Sequence, residues 1–261
     1  MSIVSTCNRR SVTAKPATPR DKRFSVFDRQ EKVRGFYQQA LFNAVIVLIG
    51  MGGIGVRFAL MLVRMGVGKI IFIEHDRVED TNLHRQDLYF HADVGKSKAF
   101  AAMKNLLPHC THKTKVIAYH LKFDEVLLLG ETFADATCFV CGVDNDDARE
   151  AVCRHFAKLE VPGVFAAVDL QASSGTLIVQ EPGKACWRCC QPLDHENQTA
   201  PCGSASSPEI LDVVSGFGVF AVTSLLMKRP RQWNFRLCSL QGFMPDQAVR
   251  IKRRKACPCC S

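Results

Sequence analysis

From residue 44 onward the chain alternates two kinds of apolar pattern. Residues 44–49 (Ala-Val-Ile-Val-Leu-Ile) are a continuous apolar run, which predicts a strand buried on both faces. A helical spacing of apolar residues follows over 54–65 and stops at Gly66 and Gly68. Residues 69–73 predict the next strand, and 115–120, 137–142 and 163–168 predict three more. Helical stretches at 97–107 and 146–159 fall among them. Strands alternating with helices predict an α/β fold, a parallel sheet wrapped by helices. The second half changes character. Residues 175–180, 235–240 and 248–252 read as strands joined by hairpin-like turns, with an apolar helix over 210–227 between them. These predict an antiparallel extension of the same sheet. Residues 1–22 are rich in Ser, Thr, Pro and Arg with almost no apolar pattern. A disordered basic tail is therefore expected ahead of a single domain over 23–261.

Composition narrows the class. The chain has 261 residues, 47% of them hydrophobic, which suffices for a substantial core without staples. No uncharged apolar run reaches the roughly 18 residues of a membrane span, so a soluble protein with no membrane partner is expected. Lys and Arg number 34 against 25 Asp and Glu, a formal net charge of +9. Much of the excess lies at 9–23 and 250–255. Two readings stand: a solvated tail and terminal strand, or electrostatic steering of an acidic partner. Thirteen cysteines, an odd number, follow an N-terminus with no apolar signal segment. They read as reduced thiols or metal ligands in a reducing, cytoplasmic setting, not as a disulfide framework.

Gly50-Met-Gly52-Gly53-Ile-Gly55 follows the first buried strand and opens a helix. Glycines there let the backbone approach phosphates and leave helix N–H groups aimed at an anion. Glu74 ends the next strand, where an acidic side chain holds ribose hydroxyls. A nucleotide site is expected; a glycine turn serving only close helix–strand packing is the alternative.

The segment after Glu74 changes that reading from a dinucleotide to ATP. Asp76-Arg-Val-Glu-Asp-Thr-Asn82-Leu-His-Arg85-Gln86 resembles the D-x-V-x-x-S/T-N-L-x-R-Q segment of the MoeB/ThiF/HesA family, within the ubiquitin-activating-enzyme superfamily. Asp28-Arg29-Gln30 is similar to that family's N-terminal R-Y-x-R-Q element. Gly95-Lys-Ser-Lys98 matches its lysine position and Asp144-Asn145 its C-x-D-N segment. The resemblance implies a Rossmann-like ATP-binding fold and adenylation of a carboxylate, with pyrophosphate leaving. Charge grows on phosphate oxygens in such a reaction, so positioning and electrostatic stabilisation carry the catalysis. By resemblance, Arg85 and Lys98 contact the ATP phosphates, Asn82 belongs to the same motif, and Asp144 helps to hold Mg²⁺ and the attacking carboxylate. Arg29 is implied to reach the phosphates of the neighbouring subunit in a homodimer. Glu74 departs from the usual Asp but keeps a carboxylate for the ribose.

Cys186-Trp-Arg-Cys189 and Cys257-Pro-Cys-Cys260 are two C-x-x-C pairs, enough to close a tetrahedral structural Zn²⁺ site. Neighbouring Cys190 and Cys259 leave the ligand choice open on spacing alone; family register favours Cys186, Cys189, Cys257 and Cys260. Cys202 lies in a polar loop over 195–208, where some relatives carry a thiol that takes the activated acyl group. It is either that nucleophile or an ordinary loop cysteine. The expected substrate is the C-terminal Gly-Gly of a small ubiquitin-like or sulfur-carrier protein, with a separate sulfur donor. Alternatives are a ribosomal peptide, a tRNA base, or a non-catalytic role in a heterodimer. Zinc knuckles weigh against the tRNA reading, so nucleic acid is not an expected partner. Trp233 and Phe243 are expected to be exposed on the carrier's platform, near the basic cluster at 252–255, with burial within the sheet as the alternative.

Overall fold

The computed structural model describes residues 2–6, 25–192, 195–197, 205–240 and 245–260. Its strands are β1 (Ser2–Thr6), β2 (Val45–Ile49), β3 (Lys69–Ile73), β4 (Lys115–Tyr119), β5 (Cys138–Cys141), β6 (Gly163–Val168), β7 (Ser174–Gln180), β8 (Phe235–Ser239) and β9 (Gln247–Val249). They form one sheet in the order β1-β4-β3-β2-β5-β6-β7-β8-β9. β4, β3, β2, β5 and β6 run parallel, while β1, β7, β8 and β9 pair antiparallel. The helices are α1 (Asp28–Glu31), α2 (Gln38–Phe42), α3 (Gly53–Arg64), α4 (Lys98–Leu106), α5 (Phe123–Leu128), α6 (Asp146–Lys158) and α7 (Pro208–Leu226).

The two-faced burial of β2 explains its unbroken apolar run. Ile46 and Leu48 enter a core shared with α3, α4 and α7; Val47 and Ile49 enter a second core shared with α5 and α6. A strand covered on both sides has no polar face to alternate with. Because β3 and β5 flank β2 on opposite sides, the chain reverses direction across the sheet there. The crevice at the carboxyl ends of these strands is where open α/β sheets collect ligands.

α7 is long and apolar enough to cross a membrane by length and composition. Its Ile210, Leu211, Val214, Ala221 and Val222 lie in the first core, so it is a central packing element of the fold.

Three expectations change. Ser2–Thr6, read as part of a disordered tail, is a strand paired in antiparallel register with β4, Ser2 opposite Tyr119 and Thr6 opposite Lys115. The open edge of β4 offers unpaired amides, and a short run with Ile, Val and Thr satisfies them. Residues 7–24 lie outside the described residues. The last strand is Gln247–Val249, earlier in the chain than the expected 248–252. Trp233 is buried, at 7% relative exposure, with the guanidinium groups of Arg231 and Arg236 at 5.5 and 6.0 Å from its ring. Phe243 lies outside the described residues.

The C-terminus returns to the second core through four thiols. Cys186 Sγ is 3.8 Å from Cys189 Sγ and 3.5 Å from Cys257 Sγ, and Cys189 Sγ is 3.6 Å from Cys260 Sγ. All four sulfurs lie within 4.8 Å of one another. Cys190 and Cys259 are not among these four sulfurs. The Arg254 N–H donates to Cys189 Sγ at 3.4 Å, and Arg154 of α6 donates to the Pro258 carbonyl at 2.9 Å. Cys186→Ser should lower the thermal unfolding midpoint by about 5 °C or more, because the quartet ties residues far apart in the chain. Cys190→Ser should shift it by no more than about 2 °C. Calorimetry of the two variants beside the parent checks the difference.

Candidate active site

The site is built around the turn from β2 into α3. Gly50 has a φ of +90°, a conformation that costs an L side chain energy. A Cβ on Gly55 would stand 2.0 Å from the Gly50 carbonyl oxygen, so only glycine lets the helix start this close to the strand. Gly50, Gly52 and Gly53 line a cleft of about 1300 Å³ at the carboxyl ends of β2, β3, β5 and β6. Gly53 and Ile54, the first residues of α3, line it too, so the positive end of the helix lies at the cleft.

Glu74 also lines this cleft, but its carboxylate is already engaged. Its Oε2 accepts the Met51 N–H at 2.8 Å and its Oε1 accepts the Asp76 N–H at 2.9 Å. The extra methylene relative to Asp lets it fold back onto the glycine loop. The Tyr89 hydroxyl donates to the Met51 carbonyl at 2.8 Å. Burial first, then the charges of Glu74, Asp76 and Asp93, push that phenol well above its usual value, so it stays a donor.

The cationic side of the cleft comes from two segments. Lys98, 7% exposed at the start of α4, places Nζ 3.0 Å from Asp76 Oδ2. Arg85 donates to the Thr81 carbonyl at 2.5 Å. Burial pulls its guanidinium below the usual arginine value, partly opposed by Glu79. Asn82 Oδ1 accepts the Glu79 N–H at 3.0 Å, so this side chain shapes the loop that carries Arg85. Gln86, 3% exposed, lines the cleft with Oε1 lacking a partner among the described residues.

Asp144 is exposed at the end of β5 and lines the cleft. Asn145 caps α6 by accepting the Ala148 N–H at 2.8 Å, which fixes the direction in which Asp144 leaves the strand. Next to them, sequence reasoning missed a charged cluster. Asp146 accepts from Arg149 at 2.6 Å and pairs with His195 Nε2 at 2.9 Å, and Arg149 also donates to the Val143 carbonyl at 2.7 Å. Arg149 lines the cleft five residues after Asp144, a spacing that could have flagged it. Asp169, on the far wall, is worked upwards by burial. Hydrogen bonds from Ser173 and Ser174 outweigh that effect and hold it below the usual carboxylate range.

The structure thus gathers Gly50, Gly52, Gly53, Glu74, Asp76, Asn82, Arg85, Lys98, Asp144 and Asn145 around one cleft. Gly55 stands behind it, packed on the loop. Arg29 is exposed on α1 and is not among the lining residues of its own chain's cleft. Cys202 lies outside the described residues. For a metal, the Cys186, Cys189, Cys257 and Cys260 sulfurs fit a tetrahedral thiolate site, in which Zn–S bonds of about 2.3 Å put sulfurs about 3.8 Å apart.

Comparison with known proteins gives this arrangement its relatives. In Escherichia coli MccB bound to MccA-N7isoASN the same fold recurs, with a TM-score of 0.73 at 21% identity over 85% of this chain and 68% of that one. A sulfur carrier protein adenylyltransferase of Thermus thermophilus is 30% identical over 247 residues, 85% of this chain and 84% of the relative. A molybdopterin-synthase adenylyltransferase of Escherichia coli K12 is 27% identical over 234 residues, 83% and 92% of the two chains. The model of the ThiF family matches residues 20–259, which include the glycine turn, the Arg85 and Lys98 segments, Asp144 and most of the thiol quartet. The chain belongs to the ThiF family.

Proposed function

We propose that this chain is an adenylyltransferase that activates the C-terminal glycine carboxylate of a small sulfur-carrier or ubiquitin-like protein with ATP. The observation that carries the reading is the gathering of Arg85, Lys98 and Asp144 around one cleft beside the glycine turn. The adenylyltransferase names of its relatives support it. A carboxylate oxygen of the acceptor attacks the α-phosphorus, the bond from that phosphorus to the β,γ-leaving group breaks, and pyrophosphate departs. Arg85 and Lys98 offset the charge that grows on the phosphate oxygens, and the amides at the start of α3 add to this. Asp144, exposed at a strand end, offers oxygen of the kind Mg²⁺ prefers. The metal would supply charge neutralisation of the phosphates. Retention of all three side chains argues against a non-catalytic subunit.

Arg29, absent from its own cleft, fits a role in the cleft of a second copy, and the reading therefore includes a homodimer. The quartet is read as a structural Zn²⁺ site, since four thiolates leave no position open for chemistry. For the carrier we infer the β8–β9 edge, where Leu240, Val249, Arg250, Lys252 and Lys255 are exposed. Arg253 and Arg254 are occupied elsewhere: Arg253 donates to the Cys260 carbonyl and Arg254 contacts Cys189.

ATP–pyrophosphate exchange, run with a Gly-Gly-ended carrier, a short ribosomal peptide and a tRNA as acceptors, tests the reading. Exchange that depends on the carrier is the expected result; dependence on the peptide or the tRNA would replace the substrate. Asp144→Ala should lower carrier-dependent exchange by about a hundredfold or more while the fold is retained. Metal analysis should return about one zinc per chain, lost in Cys186→Ser and kept in Cys190→Ser. Lys252→Glu with Lys255→Glu should slow activation of an acidic carrier severalfold and flatten its salt dependence, with ATP affinity unchanged.

A further inference from the structure

Arg57 stands where two rules disfavour it. It lies in the second turn of α3, near the positive end of the helix, and it is buried at 5% relative exposure. A cation near a helix N-terminus opposes the macrodipole, and a buried charge is costly unless paired. Such a residue is retained for what it holds.

What it holds is three walls of the cleft at once. Nη1 donates to the Arg85 carbonyl at 2.5 Å and to the Gly53 carbonyl at 3.2 Å. Nε donates to Asp212 Oδ1 at 2.5 Å, and Nη1 lies 3.5 Å from Asp87 Oδ2. Gly53 belongs to the glycine turn and Arg85 to the cationic segment, while Asp212 sits in the first turns of α7 beside the cleft residue Leu211. The Arg85 side chain is held by the Thr81 carbonyl, and its backbone is held by Arg57. Each anchor fixes a different end of the same residue.

We propose that Arg57 is a positioning residue for Arg85. It uses one buried guanidinium to lock the cationic segment, the glycine turn and the start of α7 into the geometry that grips a polyphosphate. The inference deepens the adenylyltransferase reading and rests on it for Arg85 as a phosphate ligand. It requires only that the cleft bind ATP, whatever the acceptor.

Calorimetric titration of the full chain with ATP and with AMP tests it. ATP uses the phosphate grip fully, whereas AMP depends chiefly on the nucleoside contacts. Arg57→Met should weaken ATP binding by about tenfold and leave AMP within about twofold. In an Arg85→Ala background the same substitution should cost clearly less than in the parent, because only the hold on the glycine turn and α7 is left to lose. Equal weakening of both ligands, unchanged ATP binding, or additive losses in the double variant would each overturn the proposal. Asp212→Ala, at a largely exposed partner, serves if Arg57→Met does not fold. Its selective loss of ATP over AMP supports the role, and no such loss overturns it. A parent chain that binds ATP but exchanges pyrophosphate with no acceptor would remove the adenylyltransferase reading and leave this test standing.

Discussion

A single methyl group on residue 55 would come within 2.0 Å of the Gly50 oxygen, and the site depends on its absence. The close approach lets α3 begin directly over the end of β2, with the positive end of the helix at the cleft. Neighbouring groups are then fitted to that turn. Glu74 and Tyr89 take the amide and the carbonyl of Met51, and Arg57 reaches back from the next turn to Gly53. The position of Arg85 follows through Arg57. The local geometry of six residues thereby sets where positive charge is found.

Much of this was legible in the sequence because it is local. The strand at 45–49 showed itself through an unbroken apolar run, and α3 through glycines at both ends. Arg85, Lys98 and Asp144 could be named because each sits in a short motif. What could not be read depends on partners distant in the chain. β1 is five residues long and lies next to a Ser- and Pro-rich stretch, so its composition spoke for a tail; the amides it satisfies belong to β4. Trp233 had the setting of an edge residue, yet two arginine side chains lie against it. Nothing local in the sequence marks Arg57, since one carboxylate it pairs with, Asp212, is 155 residues away.

The two halves of the sheet divide the work by their physics. The parallel strands deliver their carboxyl ends and the following helix starts to one crevice, which suits a nucleotide. The antiparallel strands β7, β8 and β9 add width and end in an exposed edge beside Lys252. Glu74 belongs to the first half: each of its oxygens accepts one backbone amide, which fastens the glycine loop, and each keeps a second lone pair for another donor.

The thiol quartet lies against α6, the helix whose cap orients Asp144, through the bond from Arg154 to Pro258. Thermodynamic linkage gives that contact a meaning. If the quartet holds Zn²⁺, as proposed above, an ion bound by the folded chain and not by the unfolded one deepens the native well of the whole domain by an amount set by its free concentration. The time that the cleft spends assembled would then follow the metal supply of the surroundings. Abundance of the protein could fall under scarcity of an ion that never touches the reacting atoms.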